Sequence, residues 1–127
     1  MVIPLNNERY NTGIKNLQKI DGQSGEQVIH SLQDIAPDVA NYIIEFAFGD
    51  IYERDDLTLQ ERELITLSSL LTQGDTKNQL IVHINGALNV GLTQKKIIAT
   101  FIQCIPYVGF PRVLNAITIA KEVFEAA

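Results

Sequence analysis

The residues best suited to chemistry are a histidine, a glutamate and a glutamine on two neighbouring amphipathic stretches. His83 sits at the border of an apolar arc, with Gln79 one turn before it and Gly86 nearly one turn after. A hydrogen-bonding amide and a position without a side chain therefore flank the imidazole, which suits the wall of a cleft. Imidazole gives and takes protons near neutral pH, so acid–base work is the chemistry such a wall would do. Glu63 shares a stripe with Leu67 and Leu70, at i, i+4 and i+7, so the carboxylate is expected to face inward while Arg62 points away. A carboxylate withdrawn from water calls for a cation, a cluster of donors or a raised pKa, and each of these is of use to a reaction. Both residues also have a plainer reading, His83 as a half-buried side chain satisfied by a carbonyl and Glu63 as a structural ion pair.

The elements that must position them read as helices. Asp75 is expected to cap the His83 helix and Gly91 to stop it, with Leu80, Ile81, Ile84, Ala87 and Leu88 inward. The Glu63 helix runs from Thr58 to Gln73, opened by a Thr58/Glu61 capping box, with Leu64, Leu67, Leu70 and Leu71 as its apolar side. Upstream, Asn6 or Asn7 caps a first helix carrying Tyr10, Ile14, Leu17 and Ile20 on one side and ending at Asp21-Gly22. A second, from Gly25 to Ile35, turns Val28, Ile29, Leu32 and Ile35 inward and leaves His30 off the stripe. Pro37 opens a third that reaches about Phe48, with Val39, Tyr42, Ile43, Phe46 and Ala47 inward, before Gly49-Asp50 interrupts it. Downstream, Thr93 caps a helix apolar nearly all round, Pro106 is expected to break it, and Tyr107 to Pro111 forms a turn. The last helix presents Val113, Leu114, Ile117, Ala120 and Phe124, with Asn115 near its start. No stretch alternates as a strand would, so the fold class is all-α with six to seven helices. Several helices are apolar on more than one face, which predicts burial between subunits of a homo-oligomer.

The 127 residues carry a formal charge of −5 with scattered basic residues, which argues for one domain over 1–127 and against nucleic acid as a partner. No apolar run approaches the roughly 20 residues that cross a bilayer, and the start lacks a signal-peptide pattern, so no membrane contact and a cytoplasmic location are expected. Cys104 is the lone cysteine and the histidines are His30 and His83, a set too poor for a disulfide or a dedicated metal site.

Arg62-Glu63-Leu-Ile-Thr, Leu71-Thr-Gln-Gly74, Gln79-Leu-Ile-Val-His83, Ala87-Leu-Asn-Val-Gly91-Leu-Thr93 and Tyr107-Val-Gly109-Phe-Pro111 together resemble the carboxymuconolactone decarboxylase family. Phe48-Gly-Asp-Ile-Tyr-Glu-Arg54 fits upstream. The resemblance implies an all-helical, usually hexameric fold shared with the AhpD-type alkyl hydroperoxidases. It also implies decarboxylation of γ-carboxymuconolactone, a small anionic substrate, without metal or organic cofactor. In that resemblance His83 is the proton donor or carbonyl ligand, and Glu63 is the buried acid that orients the imidazole or raises its pKa. Gln79, Tyr107 and Asn115 become candidates for hydrogen bonds to substrate, and Arg54 or Arg112 for attraction of its carboxylates. The AhpD-like branch carries C-x-x-C ahead of the histidine. Thr76 and Gln79 stand at those positions here, which disfavours disulfide-based peroxidase chemistry and leaves oligomeric binding of a small anion as the non-enzymatic alternative.

Overall fold

A computed structural model describes residues 7–126, in which seven α-helices and one π-helical stretch occur and no strand among the described residues. The all-α expectation is met. No helix among those residues is long and apolar enough to cross a membrane. The chain divides into two compact units, Met1–Thr58 and Leu59–Ala127.

In the first unit, α1 (Glu8–Ile20) starts where Asn7 Oδ1 accepts from the Tyr10 N–H at 3.2 Å, as its sequence implied. The other candidate cap, Asn6, lies outside the described residues. Helix α2 (Gly22–Leu32) begins and ends earlier than the apolar spacing suggested, which leaves Ile35 beyond the helix and 81% exposed rather than inward. Helix α3 (Pro37–Tyr42) passes directly into the π-helical stretch Ile43–Ile51. Gly49-Asp50 therefore does not interrupt it. The buried positions are Ala40, Ile44, Phe48 and Gly49, while Val39, Tyr42 and Phe46 face out, the reverse of the expected face. Apolar residues fall on more than one side of the segment, so counting does not select the inward arc, and i→i+5 turns displace later residues from it. Packing selects it instead. A Cβ on Gly13 would stand 1.9 Å from the Ile44 carbonyl oxygen, and one on Gly49 would stand 2.6 Å from that of Arg9. These two glycines let the backbones of α1 and the π-helical stretch touch.

The second unit holds α4 (Leu59–Gln73), α5 (Lys77–Asn89), α6 (Gln94–Val108) and α7 (Phe110–Ala126) around a core that includes Leu67, Leu71, Leu80, Ile84, Phe101 and Val113. Asp75 does not cap α5. With φ of 56° it shares a left-handed turn with Gly74, and Thr76 takes the cap position, its hydroxyl donating to the Leu70 carbonyl at 2.6 Å. Gly91 does stop α5. At φ 98° it donates to Leu88, and Leu92 donates to Ala87, the paired bonds of a Schellman motif.

Thr93 caps α6 as expected, its Oγ1 accepting from the Lys96 N–H at 3.1 Å. Pro106 does not break the helix, because a proline so close to the end forfeits only one intrahelical bond. Gly109 ends it instead, at φ 88° and ψ 168°. Along α7 the buried face is Val113, Ala116, Ile119, Ala120 and Val123, and Leu114 is exposed, contrary to expectation. The two alanines allow close helix approach. Leu114 lies about 100° round the helix from Val113 and misses that approach.

Candidate active site

Glu63 comes from the second turn of α4 and His83 from the middle of α5. The short 74–76 connection makes these helices antiparallel neighbours, and Gln60 Nε2 donates to the Val90 carbonyl at 3.0 Å to hold the far end. That register sets residue 63 against residue 83. The Glu63 side chain is 0% exposed and that of His83 is 18% exposed, with His83 Nδ1 3.0 Å from Glu63 Oε1. An ionised carboxylate only accepts, so with Glu63 ionised this contact requires the proton on Nδ1. The His83 ring is the more open member of the pair.

The inward carboxylate agrees with the stripe read from the sequence. Arg62 does not point away, however, being only 7% exposed, so α4 is covered over a wider arc than its leucines indicate. Gly86 is buried one turn beyond His83, and Gln79 is exposed one turn before it. Tyr107, in the last turn of α6, is 80% exposed.

Arg112 and Asn115 meet elsewhere, in a cavity of about 330 Å³ whose lining also includes Gly74, Thr76, Lys77 and Glu122 but neither His83 nor Glu63. There Arg112 Nη1 donates to the Gln73 carbonyl at 3.0 Å, so this guanidinium closes the C-terminal end of α4. Lys77 stands 3.5 Å from Glu122. No sequence pattern marks residues 77 and 122 as neighbours, because α5 and α7 meet only in the tertiary fold. Arg54 belongs to the first unit, where its hydrogen bond to Asp56 at 2.6 Å raises the guanidinium pKa further. Cys104 is half-buried against the core of the second unit.

Residues 37–122 match the carboxymuconolactone decarboxylase family. A 4-carboxymuconolactone decarboxylase of Acinetobacter baylyi is 29% identical over 119 residues, covering 93% of this chain and 88% of that protein. A nitrosuccinic acid decarboxylase of Metarhizium robertsii is 26% identical over 121 residues, covering 93% and 82%. An uncharacterised 15.0 kDa protein of Paracoccus denitrificans is 27% identical over 97 residues, covering 76% and 72%. The family match takes in both helices that carry the Glu63–His83 pair, and the chain belongs to the carboxymuconolactone decarboxylase family.

Proposed function

We propose that the protein is a decarboxylase of small carboxylated anions in which His83 delivers the proton that replaces CO2. The observation that carries this reading is the fully buried Glu63 carboxylate 3.0 Å from Nδ1 of a partly open histidine. Two of the three relatives reported above are decarboxylases by name, one for a lactone and one for a nitro acid. A lactone carbonyl and a nitro group share one property, the capacity to hold the electron pair left behind when a carboxylate departs. The substrate class inferred for this chain is accordingly a small acid whose carboxylate is borne on a carbon next to such a group, or joined to it through a double bond.

In this reading the C–C bond to the carboxylate breaks, CO2 leaves, and the electron pair passes into the electron-withdrawing group. The Nε2–H of the imidazolium then protonates the carbanion. Glu63 keeps the other proton on Nδ1, so the ring returns to one defined neutral tautomer and is recharged from water. No step is routed through a metal or an organic cofactor. Glu63 acts through the histidine and is a positioning residue.

The test is CO2 release from 4-carboxymuconolactone and from nitrosuccinic acid by the purified protein. Turnover of at least one substrate is expected, with kcat about 10²-fold or more lower in His83→Ala, the range for loss of a general acid. Full turnover by His83→Ala would overturn the assignment of the proton donor. No turnover of either acid by the wild type would overturn the substrate class.

A further inference from the structure

The cavity of about 330 Å³ between the start of α5 and α7 is a second place where polar groups converge, and neither His83 nor Glu63 lines it. At one end stand Arg112 and Asn115, at i and i+3 on α7, so both project from one face. Arg112 is fixed in place. Its Nη1 donates to the Gln73 carbonyl at 3.0 Å, and it lies so close over Gly74 that a Cβ there would stand 1.5 Å from Nη1. Among the described residues it forms no ion pair, although Asp75 lines the same cavity, and the Asn115 amide has no hydrogen-bond partner. Thr76 and Thr118 have already given their hydroxyl protons, to the carbonyls of Leu70 and Leu114. The donors left over at this end are thus the rest of a guanidinium and a side-chain amide.

The remainder of the cavity has another character. Leu71, Leu80, Ala116 and Ile119 make an apolar wall, and Lys77 and Glu122, 3.5 Å apart, neutralise each other at its margin. From Arg112 to Ile119 is about 10 Å along α7. A held guanidinium suits a planar anion with two oxygens, and the apolar wall calls for a hydrocarbon body beside it. The volume is near the small end of the range for ligand pockets, about 300–1,000 Å³, so that body is short. We propose that this cavity binds a small aliphatic carboxylate, its oxygens on Arg112 and Asn115 and its hydrocarbon on the wall of Leu71, Leu80, Ala116 and Ile119. The place is distinct from the Glu63–His83 pair, and the proposal does not rest on the decarboxylase reading.

The test is titration of the full ¹⁵N-labelled chain with 4-methylpentanoate, followed by ¹H–¹⁵N correlation spectra. Saturable shifts are expected at Gly74, Lys77, Asn115 and the Arg112 Nε–H, and His83→Ala should bind with the same dissociation constant. Two further ligands separate the halves of the site on the wild-type protein. The amide 4-methylpentanamide has the body without the charge and acetate the charge without the body, and each is expected to bind at least about tenfold more weakly. Arg112→Gln should weaken binding about tenfold or more, and Arg112→Lys, which keeps the charge but loses the fork, should not restore full affinity. No saturable shift, shifts centred on His83, either comparison ligand binding as well as the acid, or wild-type affinity in Arg112→Gln or Arg112→Lys would overturn the proposal. Arg112 also closes the end of α4, so the helicity of its variants is measured alongside. Should they lose it, the wild-type ligand comparison and Asn115→Leu decide. Residue 115 is exposed, and its replacement is expected to weaken binding about threefold or more. Unchanged affinity in Asn115→Leu would overturn the proposal equally.

Discussion

Glu63 is the residue on which the candidate site turns, because it is a carboxyl group that carries no exposed surface and touches the ring of His83. A hydrogen bond to a charged group contributes about 1.5–3 kcal/mol, and the burial that strengthens it makes its loss more costly. Comparing Glu63→Gln, His83→Gln and the double variant by urea denaturation should therefore give a coupling energy of about 1 kcal/mol or more. A coupling near zero would mean that the contact contributes nothing to stability. The tautomer can be read separately. With only His30 and His83 in the chain, the ring ¹⁵N spectrum is readily assigned, and His83 is expected to carry its proton on Nδ1 at a pH where the ring is neutral. In Glu63→Gln that preference should weaken, since an amide both donates and accepts. The inward carboxylate was legible because stripe membership is a local property of α4. Its partner was not, since 20 residues and a turn separate the two, and the resemblance to a family suggested the pairing before geometry supplied it.

At the scale of the element, what could be read depended on whether the deciding contact was local. Asn7, Thr93 and Gly91 set helix ends through bonds to residues two to four positions away, and each acts where its type indicates. The inward face of α3 and the π-helical stretch was misread because Gly13 of another helix decides it. Pro106 was likewise misread, because a proline signals a lost donor while the left-over freedom of Gly109 is what ends α6. These two glycines give opposite grounds for intolerance. Gly13→Ala gains about 1 kcal/mol of helix propensity. It also places a Cβ 1.9 Å from a carbonyl oxygen, a clash of rigid backbone that overpacking values put at about 1–3 kcal/mol or more. The clash should win, and Gly13→Ala is expected to lower Tm. Gly109→Ala has open space, its nearest neighbour being 3.8 Å away, but its φ of 88° and ψ of 168° lie in a region open essentially to glycine alone. About 1–3 kcal/mol of destabilisation is expected there from strain without any contact. A Gly109→Ala variant as stable as the wild type would show that the α6–α7 corner readily adopts another backbone conformation.

For the whole molecule, the question is which force would hold copies together. A net charge of −5 sets identical chains to repel one another. Exposed ion pairs contribute about 0.2–1 kcal/mol each and fade as salt shortens the Debye length. Complete burial of a Val or Phe side chain contributes about 1.5–3 kcal/mol and is insensitive to moderate salt. Val39, Tyr42 and Phe46 on α3 and the π-helical stretch are all partly in water, so in a self-association that covers them the apolar term should exceed the ionic one. Raising sodium chloride from low to physiological strength is therefore expected to change the dissociation constant of a homo-oligomer by no more than about tenfold, since two or three exposed ion pairs amount to roughly 1 kcal/mol. Phe46→Ala, which keeps every charge, should weaken association by a larger factor than the salt does. Sedimentation velocity across a concentration series measures both. If salt dissociates the oligomer while Phe46→Ala leaves it whole, the chains are held by charge, and Phe46 is not on the surface where they meet.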